Sequence, residues 1–370
     1  MNSVTKNSLK LINPVIVLTI VGLAPTLINA DDSKASAQHI VSTMPANSWL
    51  EVPNTQLADV GADAEKYADL QGYIGIDGVT AYSGGVFDNK RNRLVIWGGG
   101  HWDYMGNEVY AFDVDTLSWE RLTDPSDPNY CEETNSDGTP NSRHTYNGIA
   151  YIDHADRMFG SGGALACRAG GCGARKTWVF DFDLKQWTDM NPKITPETDC
   201  ENLSAYDPES KKVWWFDLEG LWSYDYDKNS WTKHNEDFIS RRTAVVDTKR
   251  GLLIAIGEGE VVAYDIRNRN FTQKVWSTKG ADELVEQWSP GVAYDPVTDR
   301  IVSWSGGDSI YTLNIDTKVW TEHQAKGGPN LDALNSVYGI WRYVSSLNAF
   351  IIMPGTLKNV YFYKLPESGL

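Results

Sequence analysis

Positive charge is scarce in this sequence. Asp and Glu number 49 against 33 Lys and Arg, so the formal charge is −16 at pH 7 and the pI about 4.8. Binding to a phosphate backbone needs a concentrated basic face, so the balance argues against nucleic-acid recognition. Long apolar runs are also missing. The one near the N terminus, Val15 to Ala24, is too short to cross a bilayer comfortably, and nothing later could cross at all. Cysteine occurs only four times. Cys167 and Cys172 are spaced CxxxxC with no nearby histidine or second pair, which is a poor metal signal. Charged residues are 22% and hydrophobic ones 41%, which excludes a disordered chain. What is abundant is 15 Trp, 18 Tyr and 32 Gly, a profile of a large all-β protein.

Residues 1–30 read as a secretory signal peptide. Lys6 and Lys10 precede the apolar run, and Ala30 is followed by Asp31-Asp32. The mature chain is therefore expected to be secreted or periplasmic, with no membrane span after cleavage. In that compartment Cys131, Cys167, Cys172 and Cys200 are expected to form disulfides, with three connectivities open.

Length alone would allow two or three domains, but the chain repeats itself. Five segments share one pattern: VYAFDVDTLSWERL (109–122), TWVFDFDLKQWTDM (177–190), LWSYDYDKNSWTKH (221–234), VVAYDIRNRNFTQK (261–274) and IYTLNIDTKVWTEH (310–323). Apolar residues alternate on both sides of a polar turn, which marks a β-hairpin. A second hairpin precedes each, as in GVFDNKRNRLVIWGGG (85–100) and VAYDPVTDRIVSWSGG (292–307). Each unit is thus four short strands, a to d. A sixth copy has only three, and SWLEVPN (48–54) has the character of the missing one.

The run LVIWGGG, the later VYAFD and the downstream Trp resemble Kelch repeats. That resemblance implies an all-β, six-bladed Kelch-like β-propeller closed by the N-terminal strand. Seven blades would need a cryptic blade in 55–77, which reads as a loop with a short helix. Residues 31–46 are then an N-terminal tail, and 47–370 a single propeller domain.

In such a blade the b–c loop and the d–a connection emerge on one face. From the a–b Asp to the c–d Asp, blades three to five measure 18, 18 and 19 residues (207 to 225, 247 to 265, 295 to 314). Blades one and two measure 25 and 28 (88 to 113, 153 to 181), and the connection between them is also long. These insertions share one sector of one face with all four cysteines, and long loops on a rigid scaffold are where sites usually lie. Of six histidines, only His101 and His144 fall in such loops; His39 is in the tail, and His154, His234 and His323 fall in or near turns and strand ends.

His101, His144, Tyr104, Tyr146 and Arg143 are the expected catalytic set, with Asn107, Asp103, Trp102, Asn147, Arg168, Arg175, Arg241, Arg242 and Trp288 as substrate contacts. Arg143 with Asn107 could neutralise a uronate carboxylate, a histidine could take the C5 proton, and Tyr104 or Tyr146 could protonate the leaving oxygen. The constellation resembles that of secreted propeller polysaccharide lyases such as ulvan lyases. The resemblance implies β-elimination on an acidic polysaccharide, a carbon–oxygen lyase reaction. The alternatives are a propeller that binds glycan or protein without catalysis, and a sugar-acid isomerase. The propeller of galactose oxidase is also similar, but the further C-terminal domain that supplies a copper ligand there has no counterpart. No cofactor is required by the preferred chemistry. Abundant carboxylates leave room for a structural Ca²⁺ in the central channel, with no ligand spacing to specify one.

Overall fold

Alternating apolar residues and polar turns set the strands, and the six repeats stack them radially. The computed structural model describes residues 26–27 and 37–366, apart from 169, 199 and 332–335. Most of the expected leader lies outside the described residues.

Blade one is Gly85–Asp88, Arg93–Trp97, Val109–Asp113 and Ser118–Arg121, each strand antiparallel to the next. Blade two repeats this from Ile149–Ile152 to Gln186–Asp189, and blade three from Leu203–Asp207 to Ser230–Lys233. Blade four runs from Thr243–Asp247 to Asn270–Val275, and blade five from Gly291–Asp295 to Val319–Gln324. Blade six contributes Arg342–Val344, Ala349–Ile352 and Val360–Lys364, and Ser48–Val52 pairs with the last of these. The N-terminal strand therefore completes the final blade, and the fold is a six-bladed β-propeller. Residues 55–79 form short 3₁₀ turns, Leu57–Val60, Ala68–Leu70 and Gly75–Val79, rather than a seventh blade.

The recurring tryptophans are explained by packing between blades. Trp119, Trp231 and Trp320 are buried at equivalent places, while Trp187 is partly buried and packs, tilted by 44°, at 4.4 Å from Trp97 of blade one. No helix among the described residues is long and apolar enough to cross a membrane.

The cysteines pair as Cys131–Cys167 and Cys172–Cys200. Both bridges tie the b–c loop of blade two, one to the connection before that blade and one to the connection after it. The long loops of this sector are thereby joined into one layer. His101 N–H donates to Leu165 O, and Cys167 N–H to His101 O, which fastens the blade-one loop to that layer.

Candidate functional site

The end of the inner strand in each blade is a fixed reference: Asp88, Ile152, Asp207, Asp247, Asp295 and Val344. Six residues before each lies a structurally equivalent position, where the d–a connection turns down into the blade. These positions hold Tyr82, Tyr146, Glu201, Arg241, Ser289 and Tyr338. All except Glu201 have left-handed backbone, with φ of 49°, 46°, 54°, 41° and 43° in order. That region is uncommon for bulky side chains and is often found strained at functional sites. Backbone bonds link neighbours round the ring: Tyr146 N–H donates to Tyr82 O, Ser289 N–H to Arg241 O, and Tyr338 N–H to Ser289 O. Of the six side chains, those of Tyr82, Glu201 and Arg241 are partly exposed at this end of the channel, its mouth, whereas those of Tyr146, Ser289 and Tyr338 are buried.

Three tyrosines meet on one side of that mouth. Ring centres of Tyr82 lie 6.1 Å from both Tyr146 and Tyr338, and Tyr146 is 5.7 Å from Tyr338. Tyr82 is half-buried, and its hydroxyl has no hydrogen-bond partner among the described residues. Its ring lies 5.0 Å from that of His144. His144 stacks on His101 at 4.6 Å, almost parallel, and its Nε2 is 3.0 Å from Asp103 Oδ2. Burial holds the His144 imidazole below its ordinary range, and does the same to His101, so both are neutral near pH 7. The hydrogen bond to His144 in turn lowers the Asp103 carboxyl.

On the other side Arg241 Nε donates to Glu201 at 2.5 Å, and its Nη1 lies 3.5 Å from Glu258. The guanidinium lies 4.2 Å from the centre of the Trp288 ring, and Trp288 is 45% exposed. Burial pushes the Tyr338 phenol above its ordinary range, and the Glu201 and Arg241 charges act on it from the arginine side.

The sequence-predicted residues divide sharply. His101, His144, Asp103, Tyr146, Arg241 and Trp288 come to this mouth. Arg143 does not: it is 1% exposed, stacks 5.4 Å from Trp97, and donates to the carbonyls of Asn141, Gly162 and Glu133. Its fork is committed inside the protein, so the carboxylate-neutralising role does not fit it. Asn107 is likewise buried, bonded to Thr139 and Pro140 and receiving Ser126 N–H. Tyr104 is buried with its hydroxyl on Glu108 at 2.5 Å, and burial pushes that phenol far above its ordinary range, which does not suit a proton donor to substrate.

Asn147 bridges to Arg242 O and braces the ring from beneath. Arg242 pairs with Glu260, and Arg175 with Glu197. Trp102 packs between Tyr130 and the Arg168 guanidinium, away from the three tyrosines. Tyr82, Tyr338, Glu201 and Glu258 complete the mouth and are not in the sequence-predicted set. Counting six residues back from the aligned inner-strand Asp would have reached Tyr82, Glu201, Arg241 and Ser289 together.

A ligand atom of His101 and the sulfurs of Cys172 and Cys200 lie within 4.8 Å of one another, but both sulfurs are spent in their disulfide and hold no metal.

No family model and no curated protein matches this chain. Among solved structures, it is similar to an auxiliary nutrient binding protein from Bacteroides thetaiotaomicron, with 11% identity and a TM-score of 0.49 over 77% of this chain and 69% of that one. It is also similar to a chain of a nidogen/laminin complex, with 11% identity and a TM-score of 0.45 over 70% of this chain and 82% of that one.

Proposed function

We propose that the chain handles an acidic saccharide across the face that exposes Tyr82, Arg241 and Trp288, with the buried Tyr146 and Tyr338 packed beside Tyr82. One observation carries this reading: the ring of equivalent positions at the channel mouth. Five of six are strained, and they hold three tyrosines and an arginine where a purely structural repeat would hold one residue type. Aromatic faces stack on the apolar faces of sugars, and a guanidinium pairs with a carboxylate through two parallel bonds. Arg241, not Arg143, is the cation that reaches solvent here. The extracellular, Kelch-like setting expected from the sequence agrees with such a ligand.

β-Elimination is the second reading, and the Tyr82–His144–Asp103 contact favours it. An unpartnered phenol beside a neutral, carboxylate-oriented imidazole could relay a proton from C5 or to the leaving oxygen. In this form Tyr82 and Arg241 replace Tyr104 and Arg143.

Titration calorimetry with oligogalacturonate, oligoguluronate and a neutral oligoglucan tests the reading. At least one uronate oligomer should bind, the glucan should not, and Arg241→Ala should weaken binding about tenfold, equivalent to ~1.4 kcal/mol. No uronate binding, or full affinity in Arg241→Ala, would overturn it. Growth of ultraviolet absorbance from unsaturated ends, lost in Tyr82→Phe, would establish elimination; its absence with retained binding leaves a binding propeller.

A further inference from the structure

On the opposite face the channel is built from the six inner strands. Two residues before the end of each strand, five blades place a small aliphatic side chain: Val86, Ala150, Ala205, Val245 and Ala293. Blade six places Arg342 there. All six residues line a cavity of about 490 Å³ whose wide end lies among the a–b turns.

Toward the tyrosine face the cavity is closed. Asn147 of blade two donates to Arg242 O of blade four, and a Cβ at Gly339 of blade six would fall 2.9 Å from Asn147 Oδ1. The same point lies 3.1 Å from Arg342 Nη2, so the guanidinium lies directly beneath this plug. Its Nε and Nη2 donate to Gly85 O at 3.0 and 2.5 Å. No carboxylate pairs with Arg342 among the described residues. Asp153, the one acid lining the cavity among the described residues, is in the a–b turn of blade two, three strand positions toward the wide end, or roughly 10 Å away along the axis. Burial alone pulls the guanidinium down to about 10, so it stays charged at neutral pH. Arg342 keeps some exposure to the channel, so its guanidinium, with no carboxylate partner among the described residues, is open there to an anion.

We propose that this channel is a second binding site, for a small monocarboxylate with a short aliphatic body. The outer Nη1–Nη2 edge of Arg342 receives the carboxylate as a bidentate pair, and the alanine and valine walls receive the hydrocarbon. This is the opposite chemistry from a structural Ca²⁺: the closed end of the channel is lined by a cation. The site is independent of the saccharide reading, since it opens on the other face and shares none of its residues.

Thermal unfolding of the full chain, at fixed ionic strength in sodium chloride, acetate, butyrate or hexanoate, tests the assignment. Saturating butyrate or hexanoate should raise the midpoint by about 5 °C over chloride, more than acetate does. Arg342→Met should abolish the difference, whereas Arg241→Ala should keep it. If Arg342→Met does not fold, Ala150→Leu retains the guanidinium while filling the channel, and should abolish the hexanoate shift. Chloride protecting as well as hexanoate, or an unchanged shift in either channel variant, would overturn the proposal.

Discussion

Histidines are few in this chain: His144 is buried, and His101, His154, His234 and His323 are partly buried. Burial lowers the imidazoles of His101, His144, His234 and His323, His234 to about 4. In the unfolded chain each titrates near ~6.5. Below that pH the unfolded state takes up protons that the folded state refuses, so stability is fully present above about 6.5 and declines as pH falls toward the folded values. The urea midpoint should therefore drop between pH 7 and pH 5. His234, packed between Trp214 and Phe271 and bonded to Ser223, carries a large part of this effect. His234→Gln should flatten the pH dependence even where it lowers stability overall; an unchanged slope would refute the assignment. At this scale the sequence was only half informative. His101, His144 and Asp103 were legible because their loops are insertions into a repeat. The burial of Arg143, Tyr104 and Asn107 was not, since it depends on how two long connections fold over blade one, which no local pattern encodes. Tyr82 and Tyr338 were missed because their connections, 53–84 and 325–341, carry no histidine or insertion between the strands of a blade, and only their equivalence round the ring sets them apart.

Hairpins were the most readable elements, because each recurs with its turn Asp and its aromatic in register. What the repeat did not reveal is how blades are clamped to one another at their a–b turns. Arg91 joins Asp88 of its own blade to Asp156 and Asp183 of blade two. Arg250 does the same between blades four and five, meeting Asp247 at 3.0 Å, Asp299 at 2.7 Å and Asp316 at 3.1 Å. Asp88 and Asp247 are fully buried, so each clamp compensates a buried carboxylate whose other bonds cap its own turn. Removing the arginine leaves that charge unpaired, so Arg250→Ala should cost about 3 kcal/mol in urea unfolding. Arg250 also holds the Asp299 carboxyl well below the usual range. Its contribution is present above the ordinary carboxylate pKa of ~3.9 and lost as pH falls below it, so the gap between wild type and Arg250→Ala should narrow in acid. A loss under ~0.5 kcal/mol, typical of an exposed pair, would mean that the clamp is only a surface ion pair.

For the whole molecule, closure is the step that converts six separate sheets into one body. Without Ser48–Val52, blade six would present the Val360–Lys364 strand as an open edge, and such edges pair with other chains. The seal is apolar as well as hydrogen-bonded. Trp49 is 2% exposed and lies 5.5 Å from Trp304 of blade five, 5.9 Å from Trp341 and 5.2 Å from Tyr363. One residue thus packs against two blades that are far from it in sequence. Trp49→Ala should lower stability by about 4 kcal/mol, as large truncations in a packed core do. A chain beginning at residue 55 tests the topological role apart from the packing. It should elute from size exclusion as associated species, and an excess of the peptide 47–54 should return it to the monomer by refilling the edge. A truncated chain that stays monomeric and unfolds with unchanged cooperativity would show that the first five blades and the remaining three strands are stable without closure. The tyrosine mouth depends on the same step: its ring of backbone bonds passes from Ser289 in blade five to Tyr338 in blade six, and from Tyr82 in blade one to Tyr146 in blade two. Opening the seam between blades five and six would therefore loosen Tyr338 first. Saccharide binding by the truncated chain should fall before its strand content does, and circular dichroism recorded beside the calorimetric titration separates the two.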